Sequence, residues 1–281
     1  MRLSRVSAVM ALSALLSACS PISLLNLAIS RSGYRAEKDI AYGPNARQKL
    51  DLYIPEGLSK PAPVLLFFYG GTWQSGSKSY YLALGQAFAS KGVIVAVADY
   101  RLYPEVKYPE FISDGALALR FMHEHAARYG GDPKRLFLAG HSSGAYIVVM
   151  LASNPAYLAA VGGNFGWIRG AIGIAGPYDF LPLKDKKLIA IFGGVARKET
   201  QPITYVDGPR PPMLLVAGSA DDTVSPGNTS RMAGRLREFG NEVETKVYPD
   251  VGHLGIILSL APGFRGRTTL RQDILDFIAK H

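Results

Sequence analysis

Leu136-Phe137-Leu138-Ala139-Gly140-His141-Ser142-Ser143-Gly144-Ala145-Tyr146-Ile147-Val148 runs from an apolar, strand-like tetrad through a glycine-flanked serine into an apolar helix start. A side chain displayed at the tip of so sharp a turn needs small residues two positions before and two positions after it, because the strained backbone leaves little room for side chains there. Gly140 and Gly144 meet that need. The pattern is G-x-S-x-G set between a strand and a helix, which lifts a serine hydroxyl off the sheet and makes Ser142 a candidate nucleophile.

Working outward, short apolar runs alternate with longer helix-compatible segments. Leu50, Leu52 and Ile54 alternate as a half-buried strand does. Five near-continuous apolar runs, at 64–68, 93–97, 136–139, 171–174 and 213–216, read as strands buried on both faces. Residues 242–248 add a further alternating strand. The segments 79–91, 109–129, 143–153, 226–239 and 267–280 carry helical patterning with few breakers. Strand and helix in turn predict an α/β fold, a mostly parallel central sheet with helices on both faces. The stretch 177–209 breaks the rhythm and is expected as a short cap insertion over the strand ends.

The strand-turn-serine-turn-helix arrangement resembles the α/β-hydrolases, in which the chain order is nucleophile, acid, histidine. A serine hydroxyl is a weak nucleophile, so an imidazole must take its proton and a carboxylate must orient that imidazole. Downstream of Ser142 the only histidine before the terminal His281 is His253, in a glycine-bearing loop after the last strand. His123 and His125 fall upstream on a helix. His141 is expected to point away from the site, and His281 to be solvent-exposed. The acid is expected after the strand at 213–216, where Asp221 and Asp222 are adjacent; the motif of these hydrolases matches Asp221 and leaves Asp222 to a turn or cap.

An oxyanion hole requires backbone amides aimed at the developing negative charge. Ser143 should supply one. The loop Phe68-Tyr69-Gly70-Gly71-Thr72-Trp73 is similar to the His-Gly-Gly-Gly loop of esterases and lipases, which implies donors at Gly71 and Thr72, with Tyr69 where that family usually has histidine. Asp99-Tyr100-Arg101-Leu102-Tyr103-Pro104-Glu105, with Asp114 on the following helix, resembles the hormone-sensitive-lipase-like esterases, where such residues brace the loops around the site. The resemblance runs from about Leu50 to the end of the chain. It implies hydrolysis of carboxylic esters through an acyl-enzyme on Ser142; the short 177–209 insertion, in place of a large apolar lid, favours short acyl chains, and the sequence carries no metal-ligand cluster or dinucleotide-binding fingerprint, so no cofactor and no metal are expected. An aryl-formamidase or amidase with the same triad, and an inactive binding module, are the competing readings.

The amino terminus reads as an address. Arg2 and Arg5 precede an apolar run from Val6 to Leu16, too short to span a bilayer but long enough for an export signal. It ends in Leu16-Ser17-Ala18-Cys19, which resembles the bacterial lipobox and implies cleavage after residue 18 and lipidation of Cys19, the single cysteine of the chain. Ser20 in place of aspartate favours the outer membrane. The expected organisation is a signal peptide at 1–18, a tether and N-terminal segment at 19–48, and a catalytic domain at 49–281.

With 281 residues, 48% of them hydrophobic and 19% charged, the chain can bury one substantial core. The formal charge is +9, or +7 once Arg2 and Arg5 are removed. The basic residues are scattered, apart from Lys184, Lys186 and Lys187, which argues against a nucleic-acid partner and leaves a small ester and membrane lipid as the expected ones. The sequence leaves the oligomeric state open.

Overall fold

The computed structural model describes residues 29–281. The signal segment, Cys19 and the following residues to 28 lie outside those residues. The apolar runs form the middle of an eight-stranded sheet built from β1 (Tyr34–Ala41), β2 (Lys49–Pro55), β3 (Ala62–Phe68), β4 (Ile94–Ala98), β5 (Gly131–His141), β6 (Gly170–Ile174), β7 (Met213–Gly218) and β8 (Val243–Tyr248), in the order β1-β2-β4-β3-β5-β6-β7-β8. From β4 across to β8 every pairing is parallel, whereas β1 and β2 run antiparallel. Every residue of β4 and β6 is buried, so both faces of the central sheet are covered.

The five expected helical segments are present as α1 (Leu82–Ala89), α2 (Glu110–His125), α3 (Ser143–Ser153), α6 (Gly227–Glu238) and α8 (Leu270–Lys280). Three short ones were not anticipated: α4 (Pro155–Ala159), α5 (Lys186–Phe192) and α7 (His253–Leu258). Helix α3 is buried along its whole length and packs on β3, β5 and β6, which fixes the serine turn at the centre of the sheet. Helix α2 lies against α3, where Gly115 permits the close approach: a Cβ there would sit 2.7 Å from Ile147.

Two features go beyond the sequence reading. The sheet begins at Tyr34, inside the stretch 19–48 expected as a tether and N-terminal segment, and Ile29 is already buried. Strand β1 is an edge strand with Arg35, Glu37, Lys38 and Asp39 along it, so its apolar signal is weak. Its main tie is backbone pairing to β2, helped by the buried Asp51, which accepts from the Asp39 amide (3.0 Å) and from Lys78 (2.7 Å) and Lys38 (2.8 Å). Second, the 177–209 insertion is firmly seated. Ile191 and Phe192 are buried, Tyr146 donates to the Thr200 carbonyl (2.6 Å), and the Tyr108 amide donates to the Ile191 carbonyl (3.0 Å).

Candidate active site

Ser142 occupies the turn between β5 and α3 with φ 55° and ψ −121°. An L-residue is held in that region only when its surroundings over-determine it. The Ser142 amide donates to the Ile174 carbonyl (2.9 Å), and the Ser142 carbonyl accepts from Tyr146 (3.1 Å). The two glycines are sterically required. A Cβ on Gly140 would lie 2.3 Å from the Gly144 carbonyl oxygen, and one on Gly144 would lie 2.0 Å from that of Phe68.

His253 opens α7, in the loop that follows β8, and its Nε2 lies 2.9 Å from the Ser142 hydroxyl. Its Nδ1 lies 2.8 Å from Asp221 Oδ2. A carboxylate only accepts, so Nδ1 carries the proton and donates to it, leaving Nε2 free to accept from Ser142 Oγ. Asp221 sits in the turn after β7, where its other oxygen accepts the amides of Thr223 (3.0 Å) and Val224 (2.8 Å). Asp222 is exposed and contacts the Thr223 hydroxyl instead (3.3 Å). The acid and histidine loops are locked together, because the Val251 carbonyl accepts the Ala220 amide (3.1 Å) exactly where a Cβ on Gly218 would fall, 2.0 Å from that oxygen.

Two histidine expectations are corrected. His141 does not point away from the site: its buried ring packs 4.8 Å, centroid to centroid, from that of His253, and its Nε2 donates to the His253 carbonyl (3.0 Å). Burial, with the neighbouring His253 adding to it, pushes His141 down to about 3, so it stays a neutral brace. His281 is not solvent-exposed: its side chain is only 9% accessible and its ring lies 4.7 Å from that of Phe277. Among the described residues, the only grouping of metal-ligand atoms is Glu242, Glu244 and His281, and the Lys280 ammonium already bonds both carboxylates (2.6 and 2.7 Å).

The loop after β3 passes close to the serine. A Cβ on Gly70 would lie 2.9 Å from that of Ser142, while Gly71, Thr72 and Trp73 all have positive φ. The carbonyl of Gly71 accepts Gln74 (3.0 Å) and Ser75 (3.1 Å), but the amides of Gly71 and Thr72 donate to no described residue. The Ser143 amide, at the first position of α3, has no intrahelical acceptor. Those three amides are therefore uncommitted, and Thr72 and Ser143 line the same cleft as Ser142.

Tyr69 braces that loop. Its hydroxyl donates to Asp99 (2.6 Å) and accepts from Arg47 (2.7 Å), and Tyr100 donates to the Tyr69 carbonyl (2.9 Å). Arg47 was not anticipated, since nothing in its local sequence marks it; it also reaches the carbonyls of Tyr100 (2.9 Å) and Gly76 (3.1 Å). Asp114 is fully buried and accepts from Gln48 (2.7 Å) and from the guanidinium of Arg101 (2.7 Å).

A cleft of about 580 Å³ opens over Ser142 and Ser143. Thr72, Trp73 and Gln74 form one wall, the insertion from Pro177 to Leu188 another, and Thr223 to Asn228 a third. Trp73 is packed by Phe111, Tyr146, Phe180 and Phe192, with ring centroids 4.9–6.4 Å from its own.

A parallel sheet with this strand order, carrying a serine on a strained strand-to-helix turn within reach of a histidine and a carboxylate, defines an α/β-hydrolase fold. The chain belongs to the BD-FAE family, which it matches over residues 50–236. Isoprenylcysteine alpha-carbonyl methylesterase ICME of Arabidopsis thaliana is 27% identical over 266 residues, covering 87% of this chain and 62% of that protein. Esterase LipC of Mycobacterium tuberculosis is 26% identical over 248 residues, 80% of this chain and 61% of that protein. The chain thus spans a little over three-fifths of the length of these curated relatives. Among solved structures, a truncated carbohydrate esterase from gut microbiota superimposes with a TM-score of 0.76 at 19% identity, covering 89% of this chain and 98% of that one. The apo form of Thermogutta terrifontis esterase 2 gives 0.73 at 23% identity, with 90% and 96% covered.

Proposed function

We propose that the protein is a serine carboxylesterase acting on short acyl esters. The observation that carries this reading is the continuous relay from the Ser142 hydroxyl through His253 to Asp221, set beside unoccupied backbone amides. In the first half-reaction His253 Nε2 takes the hydroxyl proton as Ser142 Oγ attacks the ester carbonyl. The oxyanion is held by the amides of Gly71, Thr72 and Ser143, and Asp221 stabilises the imidazolium. Collapse passes the proton to the departing alcohol and leaves an acyl-enzyme. A water activated by His253 then releases the acid and restores Ser142.

Relatives named as esterases support the reaction class. Short chains are favoured because Trp73 and the aromatic rings around it fill the space beneath the cleft, and a structure of Thermogutta terrifontis esterase 2, TM-score 0.71, is described as propionate-bound. Export and anchoring through Cys19, with the domain held at a bacterial membrane and the outer membrane favoured, complete the proposal; they rest on Arg2, Arg5, the apolar run and the residues around Cys19.

The test is turnover of 4-nitrophenyl acetate. Replacing Ser142 or His253 with alanine should cut kcat by about 10³-fold or more, since either change disables proton transfer and attack as a unit. Undiminished turnover in Ser142→Ala would refute the proposal.

A further inference from the structure

The cleft carries few charges, and they are unevenly committed. Three ionisable side chains line it, Lys184, Asp185 and Lys187, all on the insertion. Asp185 is turned to the backbone, where one of its oxygens accepts the amides of Lys187 (2.8 Å) and Leu188 (2.9 Å). Neither the Lys184 nor the Lys187 ammonium bonds or ion-pairs with any described residue. Elsewhere cations near carboxylates are spoken for: Lys78 bridges Asp39 and Asp51, and Lys280 bridges Glu242 and Glu244. Lys186, between the two cleft lysines in sequence, does not line the cleft.

We propose that Lys184 and Lys187 select esters that carry a carboxylate on the part of the substrate lying against the insertion. The inference rests on the esterase reading and adds the substrate class. A cleft focuses the field of the charges that line it, so two unpaired ammonium groups on side chains lining the same cleft as Ser142 favour an anionic substrate over a neutral one of the same shape. Asp185 offsets part of that field, which keeps the effect moderate. Because the lysines are exposed, the preference is sensitive to ionic strength.

The experiment compares kcat/KM of the purified full-length protein on two matched pairs. One pair places the charge on the acyl side, mono-4-nitrophenyl glutarate against 4-nitrophenyl hexanoate; the other places it on the leaving group, 4-acetoxybenzoate against 4-acetoxyacetophenone. The expected result is a charged-to-neutral ratio that falls about tenfold in at least one pair in the Lys184→Glu/Lys187→Glu variant, stays within about twofold in Lys186→Glu, and collapses in 1 M salt, where the screening length is about 3 Å. An unchanged ratio in both pairs overturns the inference, as does an equal fall in Lys186→Glu, which would mark a general surface field. Loss of binding to phosphatidylglycerol vesicles with unchanged ratios would assign the two lysines to a lipid surface and also overturn it. Absence of turnover on all four esters would overturn the esterase reading itself, a result distinguishable from turnover with an unaltered ratio.

Discussion

At the scale of single residues, the site depends on positions where one added carbon would collide with backbone. Gly144→Ala would drive a Cβ into the Phe68 carbonyl, so the serine turn and the end of β3 must separate. Overpacking of this kind costs about 1–3 kcal/mol, to be read from urea unfolding, and a larger fractional loss of kcat is expected because the shift falls on Ser142 and its amides. His141 makes a second prediction. Its pKa in the fold is depressed from 6.5 to about 3, so the unfolded chain binds the extra proton first as pH falls. Its full contribution to stability is present above pH 6.5 and drains away between about 6.5 and 3, at up to about 1.4 kcal/mol per pH unit. Unfolding free energies measured at pH 7.5 and 5 should converge in His141→Gln relative to the unaltered protein; an identical pH slope in the two would contradict the assignment. The serine, histidine and acid positions were legible from sequence because motif, chain order and spacing each constrain them. The role of His141 was not, since its contact is to the backbone of a residue 112 positions away.

At the scale of elements, the loop after β3 depends on side chains from three separate segments, Arg47, Tyr69 and Asp99. Tyr69→Phe removes one hydroxyl that both donates and accepts. It should cost about 1–3 kcal/mol in stability, because Asp99 and Arg47 each lose a partner in a part-buried setting, and it should lower kcat more than it raises KM if the loop's amides serve the transition state. The insertion yields a prediction of the opposite kind. Phe192 is buried against Trp73, Tyr146 and Phe180, so Phe192→Ala should cost about 3–5 kcal/mol in unfolding experiments. A freely hinged lid would show almost no loss. The central strands and five main helices followed from periodicity alone. Strand β1 and helices α4, α5 and α7 did not, because an edge strand with alternating charges and helices of five to seven residues lack the repeated apolar positions that make a pattern visible.

For the whole molecule, the sheet brings together a turn after β5, a turn after β7, a loop after β8 and a loop after β3, all at the carboxyl ends of parallel strands. That convergence is what an open parallel sheet offers, and it explains why residues spread from Thr72 to Asn228 line one cleft while His253 reaches Ser142 beside it. If Cys19 carries lipid, Cys19→Ala should move the protein from the membrane fraction to the soluble periplasmic fraction without changing turnover of a soluble ester; equal membrane retention would contradict the anchor. The central claim concerns Ser142 itself and is best tested by chemistry that reports the activated hydroxyl. Treatment with a fluorophosphonate, followed by peptide mass mapping, should place one stoichiometric phosphonyl adduct on Ser142, with labelling slowed at least a hundredfold in His253→Ala. A folded protein that takes up no label, or takes it up on another residue, would contradict the account.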